Sequence, residues 1–177
     1  GTKGGNLIHE LLEFVDFQSF YSQNSLREPL SFDAWYALPA THELLNKVFA
    51  KNGFQPDEDT RLEAAEMVFN ALRTPIALPG SASKICLSEL ETYGHEMRFV
   101  FPIPEPGHPP LGQSSAHGEL PVSRGYAHGF IDFTFEHEGK TYFADWKSDR
   151  LPAGISGEGY NPEALARHVA EKYPTQA

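Results

Sequence analysis

Apolar residues recur at helical spacing in three stretches of the first half of the chain. From Asn6 to Phe20, the positions Leu7, Ile8, Leu11, Leu12, Phe14 and Val15 form a stripe that predicts an amphipathic helix, preceded by the Gly4-Gly5 pair. Residues 41–51 open on Thr41, a plausible cap, and stop before Gly53, which predicts a second helix. Residues 60–73 predict a third. It opens on Thr60-Arg61-Leu62-Glu63, which has the form of a capping box, and stops before Pro75.

The pattern then changes character. Met97 to Ile103 reads as a strand. The Pro/Gly/Ser-rich residues 104–124 are too long for a tight turn and read as a mobile loop excursion. Two further runs, Ala127–Glu136 and Lys140–Lys147, flank the polar turn His137-Glu138-Gly139 and predict a hairpin. After a Gly/Pro loop over 148–161, Asn161-Pro162-Glu163 opens a last helix, and the chain reaches Ala177 in mid-pattern. Internal repeats and coiled-coil heptads are absent from the pattern. The whole reads as one α/β domain over residues 1–177: a helical N-terminal portion, then a sheet flanked by helices.

The hairpin carries the chemistry. Side chains alternate along a strand, so Gly129, Ile131, Phe133 and Phe135 share one face and Phe130, Asp132 and Thr134 the other. In the second strand Tyr142, Ala144 and Trp146 share a face, opposite Phe143, Asp145 and Lys147. Asp132 therefore interrupts a strongly apolar strand, where aspartate is disfavoured. Two carboxylates and one ammonium converge on one spot of the sheet. Carboxylate oxygens are hard ligands suited to Mg²⁺ or Mn²⁺, and a bound cation lowers the pKa of water and neutralises charge on a reacting phosphodiester. A lysine beside it orients the water or polarises the phosphate. Asp-x-Lys alone is short and common, and as an isolated tripeptide it more often marks a structural ion pair.

Composition narrows the reading. The chain carries 24 acidic and 14 basic residues, a net charge of −10, with no basic stripe or tail. That argues against holding nucleic acid by broad phosphate neutralisation. Thirteen Phe, seven Tyr and two Trp are enough to build a core. No run approaches the roughly 20 apolar residues of a membrane span, and no basic start followed by an apolar run reads as a signal peptide. A lone Cys86 excludes an internal disulfide and fits a reducing cytoplasm. Histidines other than His9 show no His-x₃-His spacing or cysteine pairing, which argues against zinc.

Three runs set these residues in a longer pattern: Gly125-Tyr126-Ala127-His128-Gly129-Phe130-Ile131-Asp132, then Phe135 to Lys140, then Tyr142-Phe143-Ala144-Asp145-Trp146-Lys147-Ser148-Asp149. Together they resemble the nuclease motifs of the RecB family, the exodeoxyribonuclease V beta subunits of the PD-(D/E)xK superfamily. The family form is G-x-x-x-G-x-I-D, a strand, a turn and D-Y-K-S-[ND], with Trp146 standing where Tyr is usual. The start, Gly1 to Glu13, is similar to the family's G-x-x-x-H-x-x-[LF]-[LF]-E helix, and Glu96 to Ile103 to its E-x-x-F-x-x-P-I strand. Tyr173-Pro174-Thr175-Gln176 looks like the beginning of its Y-x-x-Q-x-x-x-Y helix, whose second tyrosine lies past Ala177, so the domain reads as truncated at its C-terminal end.

The resemblance implies a restriction-endonuclease-like core with a mixed central sheet. It implies catalytic roles for Asp132, Asp145 and Lys147, and a metal held by His9, Asp132, Asp145 and the backbone carbonyl of Trp146. Support would come from Glu13, Glu96 and Gln176. Mg²⁺ is the implied cofactor, and the histidine ligand hints at Mn²⁺ as a substitute. The implied activity is metal-dependent exonucleolytic hydrolysis of DNA in recombinational double-strand-break repair. The implied partners are the other subunits of a RecBCD-like complex and single-stranded DNA delivered by helicase domains of a larger parent. No G-x-x-x-x-G-K-[ST] occurs, so the ATPase motors of the family's full-length proteins are missing from this chain. The competing expectation is a nuclease fold kept as a non-catalytic scaffold or docking module, which would not need Asp132 in an apolar strand.

Overall fold

The computed structural model describes residues 3–22, 27–103, 125–149 and 161–173. The 104–124 excursion and Gln176 lie outside them. The chain divides into two compact units, one of residues 1–97 with 130–148 and one of residues 98–129 with 149–177.

The first unit is built on helices. Helix α1 (Lys3–Phe14) buries Leu7, Leu11 and Leu12. The periodic stretch expected to run to Phe20 breaks after Phe14. Asp16 accepts a hydrogen bond from the Gln18 backbone N–H at 2.9 Å and starts a separate 3-10 turn, Phe17–Phe20. A short helix α2 (Phe32–Tyr36), capped by Ser31, was not legible in the pattern. Helix α3 (Pro39–Lys51) starts earlier than expected because Pro39, with its fixed φ, occupies the first turn. Helix α4 (Glu58–Arg73) also starts early. Its cap is Asp57, whose carboxylate accepts from the Thr60 N–H at 2.8 Å, so the Thr60–Glu63 run lies inside the first turns and is not a capping box. Leu45, Val48, Ala65, Val68 and Leu72 fill the space between the helices, each less than 6 % exposed.

Strands β1 (Ile76–Ala77) and β2 (Lys84–Ile85) form a small antiparallel pair, followed by a 3-10 turn at Leu87–Glu89. The main sheet has the order β3-β4-β5, with β3 Tyr93–Ile103, β4 Gly125–His137 and β5 Lys140–Ala144. The β4–β5 pairing is antiparallel and its register runs from Phe133↔Ala144 to His137↔Lys140. Glu138 and Gly139 both have positive φ, 51° and 71°, as a two-residue hairpin turn following the right-handed strand twist requires. Side chains then anchor that turn: Glu138 accepts from the hydroxyls of Ser81 and Ser83 at 3.1 Å each, and Lys140 donates to the Gly80 carbonyl at 2.9 Å. The inner face of the hairpin, Phe133 and Phe135 with Tyr142, Ala144 and Trp146, belongs to the same apolar cluster as the buried helix residues and Leu87, and the Phe133 ring lies 5.6 Å from that of Phe17 in the 3-10 turn. Each fully buried aromatic or aliphatic side chain stabilises this arrangement by about 1.5–3 kcal/mol.

The protein is thus a mixed α/β structure with antiparallel sheet pairing. The parallel partner of a mixed sheet is not found among the described residues. In the second unit, helix α5 (Pro162–Lys172) opens where expected, on Asn161, whose side chain accepts from the Ala164 N–H at 2.8 Å. It ends at Lys172 with Tyr173 as its C-cap.

Candidate metal and nuclease site

Four elements of the first unit supply the residues singled out by sequence. Helix α1 presents His9 and Glu13 one turn apart, on a face other than its Leu7–Leu11 stripe. Strand β3 presents Glu96, strand β4 Asp132, and the segment after β5 presents Asp145 and Lys147.

Asp132 is the centre of the arrangement. Its Oδ2 lies 3.6 Å from Nδ1 of His9 and accepts the Trp146 backbone N–H at 2.9 Å. This second contact explains a departure from expectation. β5 ends at Ala144 rather than Lys147, because the amide that would continue the ladder is taken by a side chain instead. Asp145 and Lys147 therefore lie just past the strand and form an ion pair with each other. Trp146 is anchored from the core side, its ring 5.5 Å from that of Phe133 and tilted by 32°. The sequence pointed to the Trp146 carbonyl; the amide it missed is the group that meets Asp132.

Glu96 joins this neighbourhood electrostatically. Partial loss of hydration raises its carboxyl pKa, and the carboxylates of Asp132 and Glu13 add to the rise, while His9 acts in the opposite sense. Glu96 also has a left-handed backbone, φ 48°, which is uncommon outside glycine and costs on the order of 1–3 kcal/mol. Carboxylates from α1, β3 and β4 thus repel one another through space, and a cation among them would relieve that repulsion. Among the described residues, however, no three His, Cys, Asp or Glu side chains are gathered closely enough to chelate an ion as they stand. His9 and Asp132 are brought together, and Asp145 is engaged by Lys147.

No family model matches the chain. Two relatives do. RecBCD enzyme subunit RecB of Escherichia coli is 28% identical over 190 residues, covering 99% of this chain and 14% of the relative. RecBCD enzyme subunit RecB of Haemophilus influenzae is 31% identical over 105 residues, covering 55% of this chain and 8% of the relative. The chain is RecB-like across nearly all of its length and spans a small fraction of the proteins it matches. No described helix is long and apolar enough to cross a membrane.

Proposed function

We propose that this chain is the nuclease domain of a RecB-type enzyme of recombinational DNA repair, with a restriction-endonuclease-like core, hydrolysing phosphodiester bonds of DNA. The observation that carries the reading is the approach of His9 to Asp132, 3.6 Å apart on α1 and β4, two residues that the RecB-like pattern marks in separate motifs. The donor set fits a hard divalent cation, Mg²⁺ or Mn²⁺: two aspartates, a histidine, and a glutamate whose proton affinity is already raised by its neighbours. In this reading His9, Asp132, Asp145 and the Trp146 carbonyl hold the ion, with Glu13 and Glu96 beside them, and Gln176 belongs to the supporting set. The ion would supply an acidified water and a counter-charge for the scissile phosphate. Asp132 fixes the segment carrying Asp145, because its carboxylate holds the Trp146 amide. Lys147 supplies the one cation of the set and stands two residues from Asp145, where it orients water or phosphate. An acidic chain of net charge −10 suits a domain whose substrate, single-stranded DNA, is handed over by helicase domains of a larger cytoplasmic parent within a RecBCD-like complex.

One observation favours a rival. Asp145 is paired with Lys147 and no three-ligand cluster is formed among the described residues, as suits a nuclease fold retained for docking. Calorimetric titration of Mn²⁺ and Mg²⁺, run beside Asp132→Ala and Asp145→Ala and paired with single-stranded DNA cleavage, separates the two. Binding lost in both variants together with metal-dependent cleavage supports the nuclease. A folded chain that binds neither ion supports the scaffold.

A further inference from the structure

The outer face of the hairpin is aromatic where the proposed site needs a substrate. Phe130, Asp132 and Thr134 alternate onto one face of β4, and Phe143 lies directly opposite Thr134 in the register, hence on that same face. Phe143 is 63 % exposed and Phe130 61 %, whereas Phe133 and Phe135 on the inner face are 0 % and 5 % exposed; Thr134, on the outer face, is itself buried, so the open part of that face is the two rings. Neither outer ring stacks on another aromatic ring among the described residues, although the inner rings pack at centroid distances of 5.0–5.9 Å. Asp132 falls between them: at about 3.3 Å of rise per residue, Phe130 and the Thr134–Phe143 pair are roughly 13 Å apart along the strand.

We propose that Phe130 and Phe143 are stacking platforms for unpaired bases of a single-stranded nucleic acid whose backbone passes Asp132. This rests on the nuclease reading above and deepens it. Two features select this occupant. The nuclease reading brings a nucleic acid to Asp132, and with 24 acidic against 14 basic residues and no basic stripe phosphate neutralisation contributes little, so on that reading the affinity comes from another part of the nucleotide. Bases offer a flat apolar face to an aromatic ring whatever their sequence, and in a duplex those faces are already stacked. By alternation and register the two rings fall on the face of Asp132, two residues to either side of it along β4, so a base on either one carries its own phosphate toward Asp132. A second copy of this chain, the other apolar occupant, would cover the carboxylates along with the rings.

The test measures binding in EDTA, where nothing is cut, by fluorescence anisotropy of the intact chain. The probes are an oligothymidylate, an abasic deoxyribose-phosphate chain of equal length and a blunt duplex. The variants are Phe130→Leu, Phe143→Leu, the double variant and Phe143→Trp; both sites are exposed, and circular dichroism checks folding. Preference for the oligothymidylate over both other probes is expected. Each leucine variant should weaken oligothymidylate binding about tenfold with little change on the abasic chain, and Phe143→Trp should retain it. Equal affinity for oligothymidylate and abasic chain, or indifference to the leucine variants, overturns the proposal. So does absence of any binding, or a self-association that the leucine variants abolish while DNA affinity stays the same. A parallel Mn²⁺ cleavage assay keeps the two readings apart. Cleavage with base-independent binding sinks the platforms and leaves the nuclease, whereas base-dependent binding without cleavage does the reverse.

Discussion

Oδ2 of Asp132 makes two contacts at once, with the Trp146 N–H at 2.9 Å and with Nδ1 of His9 at 3.6 Å. One oxygen therefore ties the hairpin exit to helix α1, and structure and proposed chemistry draw on the same atom. The two roles separate by substitution. Asp132→Ala strands the partly buried Trp146 amide and should cost about 1–3 kcal/mol, read as a lower melting temperature. Asp132→Asn keeps a carbonyl oxygen for that amide, so it should melt close to the parent and still lose Mn²⁺ binding. Wild-type metal affinity in Asp132→Asn would remove Asp132 from the ligand set.

Lys147 separates metal binding from turnover. It is paired with Asp145, so Lys147→Ala leaves a carboxylate freer to meet a cation. Mn²⁺ affinity should hold or rise, while single-stranded DNA cleavage should fall by about 10²–10³, the range seen when a charge-stabilising group is deleted. Metal affinity that drops along with turnover would make Lys147 a structural partner of Asp145 and nothing more.

Glu96 gives a prediction of opposite sign for stability and for binding. Its carboxyl pKa is raised, first by lost hydration and then by Asp132 and Glu13. Glu96→Gln removes one of the repelling charges, so the metal-free protein should melt about 1–3 °C higher while its Mn²⁺ affinity falls. A lower melting temperature with unchanged affinity would show that the carboxylate does not share the neighbourhood of Asp132.

His95 links stability to pH. Both of its ring nitrogens are buried without a hydrogen-bond partner among the described residues, and its ring lies 5.0 Å from that of Phe133 and 5.6 Å from that of Phe17. Burial lowers its pKa below the ordinary value of 6.5. The unfolded chain then binds a proton that the folded chain resists, so this contribution to stability is present above about pH 6.5 and is lost as pH falls below it. His95→Leu keeps the apolar packing and removes the proton. The urea midpoint of the variant should change less between pH 7 and pH 5 than that of the parent; parallel pH dependences would place the titrating group elsewhere.

Much of this was legible in the sequence because it rests on short-range rules. Asn161 before Pro162 announced α5, and the polar His137–Gly139 turn announced the hairpin, since a helix cap and a tight turn are decided within four residues. The misread boundaries depend on longer reach. The break after Phe14 needed Asp16 to act as a cap, α4 took Asp57 over Thr60, and β5 stopped where a side chain fourteen residues upstream claimed its amide. The convergence of His9 on Asp132 has no local signal. Only the family-like pattern linked the two residues, and it gave no hint that Asp145 would turn to Lys147.

Gly129 offers the sharpest steric test, because the second glycine of the G-x-x-x-G-x-I-D pattern has a physical reason here. A Cβ built on it would meet Phe99 ring carbons at 2.7 and 2.9 Å, well inside contact distance. The Phe99 ring is itself stacked on Phe101, with centroids 5.9 Å apart and planes 18° from parallel, so moving aside means leaving that stack. Overpacking of this kind costs about 1–3 kcal/mol, and Gly129→Ala should lower the urea midpoint accordingly. If the clash is the cause, Gly129→Ala should cost far less in a Phe99→Ala background, giving a coupling of at least about 0.5 kcal/mol in a double-mutant cycle. Additive losses would mean that Gly129 serves its strand through the backbone, and that the ring above it is incidental.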